Sequence, residues 1–151
     1  MGLLTNTDHG TTPLQRTLAA GIKRCQLGDV REVPRKEAEN GESAKGPKLK
    51  TIINLTLEEP ATTTEGDTVQ AGFPTAVTIN EWEGREDEAR KQYRELELAI
   101  LGLERNSKED TVKLIAERGG WSALKGKSLL VEFKVDKGGF NGLKAFNRIP
   151  A

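Results

Sequence analysis

Histidine and cysteine, which commonly act in catalysis and in zinc sites, are scarce in this chain. Its 151 residues include one histidine, His9, and one cysteine, Cys25. A single cysteine allows no internal disulfide, and neither residue has a second cysteine or histidine at a spacing that binds zinc. The glycine-rich signatures GxxxxGK[ST] and GxGxxG, which bind nucleotide phosphates, are missing too. The sequence therefore predicts a protein that is not an enzyme and uses no cofactor or metal.

Long apolar runs and aromatic residues are also lacking. No run of 18 apolar residues occurs, so no membrane-spanning helix is predicted. Aromatic residues make up 5% of the chain, which leaves room for only a small stacking surface. The length is usual for one domain, and a lone thiol fits a reducing compartment, so we expect a cytoplasmic protein.

The formal net charge is zero, which by itself argues against a nucleic-acid-binding protein. The charges are unevenly distributed, however. Residues 1–50 carry a net charge of +3, residues 51–110 carry −8 and residues 111–151 carry +5. If the two basic ends meet in the fold, a neutral chain acquires one positive face.

The apolar pattern predicts five strands and two helices. Recurring apolar residues indicate strands over 22–33, 48–58, 68–79, 127–135 and 140–149, although the first of these runs does not alternate strictly. Gly28 suits a bulge in the first strand, and Pro74 suits an edge or a break in the third. Helical spacing runs from Asp87 to Glu104, and a second helix follows from Ser107 to Arg118.

This element order predicts a β-rich α+β fold. A five-stranded, OB-like (oligonucleotide-binding) antiparallel barrel with helices inserted between strands three and four has the same order. Another α+β sandwich or a partly open barrel fits the order as well. Residues 1–19 are predicted to form a mobile N-terminal arm, and residues 20–151 a single OB-like domain.

The last predicted hairpin carries a pattern typical of single-strand binding. Lys144, Phe146 and Arg148 alternate along one strand, so we expect cation, ring and cation on one face. Such a row lets a base stack on the ring while the flanking charges bind phosphates, although Phe146 can equally be a core residue. Four more lysines complete the predicted nucleic-acid-binding site: Lys48, Lys50, Lys134 and Lys137.

A resemblance agrees with this interpretation. The run GKSLLVEFK from Gly126 to Lys134, the glycine turn after it and the strand ending FNRI at Ile149 resemble the C-terminal hairpin of small phage early proteins. Those proteins are found among replication and recombination genes, and some of them bind single-stranded DNA. The resemblance implies an OB-fold, a host-cytoplasmic location, single-stranded DNA as ligand, and replication or recombination proteins as partners.

A second hypothesis remains open from the sequence. The zero net charge, the polar N-terminal arm and the acidic helix fit a protein-interaction or virion-associated structural module that binds no nucleic acid. The sequence does not indicate an oligomeric state.

Overall fold

The structure is a computed structural model that describes residues 16–36 and 46–150. Residues 1–15 of the predicted arm and residues 37–45 of the first long loop lie outside the described residues. The elements follow one another as β1 (Gly21–Pro34), β2 (Leu49–Leu57), β3 (Ala61–Thr62), β4 (Thr68–Val69), β5 (Pro74–Glu81), α1 (Glu86–Leu101), α2 (Thr111–Glu117), a 3₁₀ turn (Trp121–Leu124), β6 (Ser128–Val135) and β7 (Asn141–Asn147).

The five long strands form one antiparallel sheet in the order β5-β2-β1-β6-β7. The short strands β3 and β4 pair with each other in a separate hairpin. The edge strands β5 and β7 approach each other, but no backbone pairing joins them within the described residues. The prediction of a β-rich fold with five antiparallel strands and intervening helices is therefore confirmed, whereas the sheet is not closed into a barrel.

The strand predicted over 68–79 is two strands in the structure. Its first two residues form β4, a turn follows, and Pro74 begins β5. Gly72 in that turn has a φ of +93°, and its N–H donates to the carbonyl of Leu57 at 2.7 Å. Proline can begin an edge strand because it needs no ladder donor there, so the break and the edge position predicted for Pro74 are confirmed.

The predicted bulge at Gly28 is also confirmed. The pairing of β1 with β2 shifts register between Leu27 and Val30. A Cβ on Gly28 would lie 3.1 Å from the carbonyl oxygen of Asn54, so glycine allows the two backbones to approach. The bulge bends β1, which pairs with β6 only before it and with β2 on both sides of it.

The core lies between the inner face of the sheet and α1. Cys25, Ile53, Val77 and Leu129 are among the buried strand residues, and Leu96 and Ile100 are among the helix residues that cover them. The helix ends at Gly102, whose φ of +71° supplies the left-handed cap. Burial of one helix stripe against one sheet face is the usual way for such a domain to form a core.

The domain begins before residue 20. Leu18 is fully buried in the core, and its backbone N–H and carbonyl bond the Asn141 side chain at 2.8 Å each. Leu18 also forms a β-bridge with Thr63. The structure therefore places residue 18 with the domain rather than with the arm predicted for residues 1–19.

Candidate nucleic-acid interface

The predicted binding row on β7 does not exist as one face. The pairing of β6 with β7 shifts register at Glu132 and Phe133, where Lys144 is the extra residue of a bulge. Because the bulge adds one residue, Leu143 and Phe146 both point inward although they are three positions apart. Phe146 has 0% exposure. The prediction that it shares an open face with Lys144 and Arg148 is wrong.

Three of the predicted cations lie beside carboxylates. Lys144 Nζ is 3.3 Å from Glu132 Oε2, and the guanidinium of Arg148 is 3.7 Å from Glu104 Oε1. Lys48 Nζ lies 3.3 Å from Glu86 and 3.6 Å from Glu81. These pairs neutralise much of the charge that the sequence pattern assigned to a ligand. Lys137 is exposed on the turn between β6 and β7.

Two other predicted lysines meet in a groove between the edge strands. The seam groove, as we call it, has a volume of about 480 Å³ and is lined among others by Lys50, Thr78, Asn80, Trp82, Lys134, Asn141 and Gly142. Neither lysine has a carboxylate within 4 Å among the described residues. Lys50 and Lys134 are 84 positions apart in the sequence, and the sheet brings them to one groove.

The register of the strands explains how each lysine reaches the groove. Lys50 on β2 is paired with Asn80 on β5, so both side chains leave the same face of the sheet. Lys134 on β6 is paired with Gly142 on β7. A Cβ on Gly142 would lie 3.0 Å from Cε and 3.2 Å from Cγ of Lys134, so the missing side chain makes room for the lysine stem.

Trp82 supplies the groove with an indole ring. The side chain follows β5 directly and is half-buried, and the Arg85 guanidinium carbon lies 5.4 Å from the centre of the ring. That distance permits a cation–π contact. In the sequence, Trp82 lies in an acidic stretch between Glu81 and Glu83, which does not point to nucleic-acid binding. Its position after an edge strand, rather than the local charge, was the signal that could have found it.

Much of that acidic stretch is paired in the structure. Glu81 and Glu86 lie beside Lys48, and Glu83 lies 2.5 Å from the guanidinium of Arg35. The Gly84 N–H donates to Glu86 Oε1 at 2.8 Å, and this bond, together with Lys48, lowers the pKa of Glu86. The carboxylates around Trp82 therefore repel an approaching phosphate less than their number suggests.

The groove also has acidic lining residues. Glu88 of α1 lines it, as does Asp136 at the end of β6. Asp136 accepts hydrogen bonds from the N–H groups of Gly138 and Phe140, both at 2.9 Å, and so holds the β6–β7 turn. The groove therefore has mixed charge: its two lysines lie on β2 and β6, the strands next to the edges, and its indole ring directly follows the edge strand β5.

No comparable set of catalytic or metal-binding residues was found in the described part of the chain. Cys25 is buried, and burial raises the pKa of its thiol to about 12, so it is no nucleophile at neutral pH. His9 lies outside the described residues. Across residues 16–36 and 46–150, no group of three or more His, Cys, Asp or Glu side chains is arranged to hold a metal ion.

Comparisons with known proteins do not add a family. Models of protein families, curated protein sequences and solved structures were compared with the chain, and none matches it. Among the helices that the structure describes, none is both long and apolar enough to cross a membrane.

Proposed function

We propose that this protein binds single-stranded DNA in the seam groove and catalyses no reaction. The observation that carries the proposal is the meeting of Lys50, Lys134 and Trp82 in one groove between the two edge strands. Cations that take phosphates beside an aromatic ring that stacks on a base are the elements from which single-strand binding sites are built.

The strand order supports the same proposal. Numbered along the chain, the five long strands lie in the sheet in the order 3-2-1-4-5. An OB barrel opened between its third and fifth strands has this order, and OB proteins bind oligonucleotides on the face of strands two and three and on the loops beside it. Lys50 and Asn80 lie on that face, and Lys134 and Asn141 flank the turn between the last two strands. We therefore assign the chain an open OB-like fold.

Single-stranded nucleic acid fits this site better than a duplex does. An indole can stack only on a base whose own face is free, which in a regular duplex is covered by its neighbours. In the proposed complex, Lys50 and Lys134 bind phosphates on either side of a base stacked on Trp82. Each stacked base contributes about 1–3 kcal/mol, and the lysines make binding sensitive to salt.

The resemblance of the last hairpin to small phage early proteins supports a biological role for this activity. We propose a role in phage DNA replication or recombination, in the host cytoplasm, with proteins of those processes as partners. The likeness resides in the run from Gly126 to Lys134 and in the strand that follows it.

Tryptophan fluorescence tests the proposal directly. The chain has two tryptophans, so Trp121→Phe leaves Trp82 as its only indole. Titration of this variant with oligo-dT is expected to quench the Trp82 emission, because a base stacked on the ring quenches it. An equal length of duplex DNA is expected to quench much less.

The reciprocal variant is the matched control. Trp82→Phe leaves Trp121 as the reporter, and oligo-dT is expected to leave its emission unchanged. Anisotropy of a fluorescein-labelled oligo-dT reports binding for both variants at low salt. Absence of any anisotropy change at about 50 mM NaCl, where phosphate contacts are strong, would overturn the proposed function. Binding without quenching of Trp82 would overturn the assignment to the seam groove.

A further inference from the structure

A second cleft lies on the other side of α1. The apolar cleft, as we call it, has a volume of about 530 Å³ and includes Val30, Glu32, Tyr93, Glu97, Val112 and Trp121 in its lining. The helix separates it from the seam groove, because Glu88 and Gln92 line the groove whereas Tyr93 and Glu97 line the cleft. At 100° per residue these pairs lie on opposite sides of the helix, so the two sites can be occupied independently.

The cleft is lined by apolar side chains, and a hydrogen bond between α1 and β2 holds its back in place. Val112 is 67% exposed, and Trp121 is half-buried against the core. The Tyr93 and Thr51 hydroxyls are 2.8 Å apart, which ties α1 to β2 at the back of the cleft. An exposed valine beside a half-buried indole is the kind of apolar surface on which an apolar anchor of a partner can be buried.

A free strand edge borders this cleft. Gly21 to Gln26 of β1 pair with β6, but beyond the bulge Val30 to Pro34 pair with β2 alone among the strands that the structure describes. Val30 and Glu32, two positions apart, both line the cleft. This edge therefore offers backbone groups to an added strand, and side chains of that strand would alternate toward the cleft as Val30 and Glu32 do.

The charge of the cleft is negative. Neither Glu32 nor Glu97 has a basic group within 4 Å among the described residues, and Arg90 at the rim is 2.7 Å from Asp87. Glu97 accepts a hydrogen bond from Thr111 Oγ1 at 3.0 Å, which fixes the carboxylate in place, and burial raises its pKa. Arg94, which donates to Thr111 Oγ1 at 2.8 Å, offsets part of the charge of Glu97, whereas Glu32 has no such neighbour among the described residues. A cation brought into the cleft would therefore lie beside one unpaired carboxylate and one that is only partly offset.

We propose that the apolar cleft binds an extended segment of a partner protein, added as a strand along Val30 to Pro34, with an apolar and a basic residue two positions apart. The two-residue spacing follows from the strand period, which sends alternate side chains to the same face. The apolar side chain packs on Val112 and Trp121, and the lysine or arginine meets Glu32 and Glu97. The site is independent of DNA binding in the seam groove.

Labelled peptides test the proposal: a probe is compared with one control of altered charge and one control of altered order. The probe is fluorescein-labelled Ser-Thr-Leu-Thr-Lys-Thr-Ser with an amidated end, in which the leucine and the lysine are two positions apart. One control peptide replaces lysine by glutamate, and another places leucine and lysine side by side, so that they point to opposite faces of a strand. By anisotropy, the probe is expected to bind at least about fivefold more tightly than either control.

Protein variants tie the binding to the cleft. The double variant Glu32→Gln/Glu97→Gln and the single variant Val112→Ser are each expected to weaken probe binding by about fivefold or more. Val135→Ser is the matched control, because Val135 is exposed at the far end of β6. All variants are expected to keep the wild-type affinity for oligo-dT, and their circular dichroism checks the fold.

Three outcomes would overturn the proposal. Equal binding of the probe and the side-by-side control would show that no added strand forms. Full probe affinity in both cleft variants would place the peptide elsewhere. Self-association of the wild type in sedimentation velocity, abolished by Val112→Ser, would show that a second copy of this chain covers the cleft instead.

Discussion

Glu58 connects three strands through one carboxylate. It directly follows β2 and accepts hydrogen bonds from Ser128 Oγ on β6 and from Arg24 Nε on β1. The bond from Ser128 contributes most to lowering the pKa of Glu58, and the bonds from Arg24 and Gln26 lower it further. At the scale of single residues, this side chain links β1, β2 and β6 at one end of the sheet, next to the segment that leads into β3.

The lowered pKa of Glu58 makes a prediction about acid unfolding. A depressed pKa in the folded state stabilises the fold at pH values above the unfolded-state pKa, and this contribution disappears as the pH falls through the folded-state pKa. Glu58→Gln is therefore expected to lower the free energy of unfolding at pH 7 and to lose that effect in acid, below the folded-state pKa of Glu58. Urea denaturation at the two pH values measures it. The exposed neighbour provides the control Glu59→Gln, and an equal loss at both pH values would contradict the account.

The reaction rate of the Cys25 thiol reports whether the fold opens. The thiol is fully buried, and its pKa is raised to about 12. Because the thiolate is the reactive form, we expect the native protein to react with a disulfide reagent at pH 8 orders of magnitude more slowly than the protein unfolded in urea. Absorbance of the released thiol follows the reaction. Similar rates for native and unfolded protein would show that β1 and β6 do not enclose this side chain.

At the scale of an element, the bulge in the β6–β7 hairpin determines which side chains point into the core. One extra residue, Lys144, turns Phe146 into the core, where it is paired with Val131. At Phe146 the edge of β7 is bonded to α1, because the Phe146 N–H donates to Glu95 Oε1. An aromatic ring in this strand therefore stabilises the fold, whereas the ring that lines the seam groove, Trp82, directly follows β5.

Truncation of Phe146 separates these roles. Phe146→Ala is expected to lower the free energy of unfolding by about 3–5 kcal/mol, because it removes a fully buried ring and leaves a cavity. Phe140→Ala, at a position that is 53% exposed, is expected to change it by less than about 0.5 kcal/mol. Urea denaturation measures both. If Phe146→Ala changed the free energy of unfolding only slightly but abolished oligo-dT binding, the ring would belong to a binding surface and this account would be contradicted.

The elements were predictable from the sequence to the extent that their patterns were regular. Alternation predicted β2 and β6 within two residues of their bounds, and helical spacing predicted α1. The bulge in the last hairpin was not predicted. A one-residue shift in register reverses the direction in which the side chains beyond it point, and the composition of the strand does not reveal it. The seam groove was not predicted either, since its lysines come from strands that are distant in sequence and adjacent only through the sheet.

At the scale of the whole molecule, α1 divides two surfaces of different character. On one side the seam groove holds Lys50 and Lys134, and on the other the apolar cleft holds Glu32 and Glu97. The lysines of the groove have Glu88 and Asp136 beside them, whereas the carboxylates of the cleft have Arg90 at the rim. A ligand that is an anion and a partner that is a cation can approach the same small domain from opposite sides of one helix.

The salt dependence of oligo-dT binding tests the central claim most directly. Between about 50 and about 200 mM NaCl, each phosphate contact on a single strand contributes about 0.7 to the slope of log K against log salt. Lys50→Ala/Lys134→Ala is therefore expected to weaken binding and to reduce the slope by about 1.4. Lys113→Ala/Lys127→Ala, which removes the same charge from exposed lysines outside the groove, is expected to keep the wild-type slope. Equal slopes for the two double variants would contradict the claim that DNA binds in the seam groove.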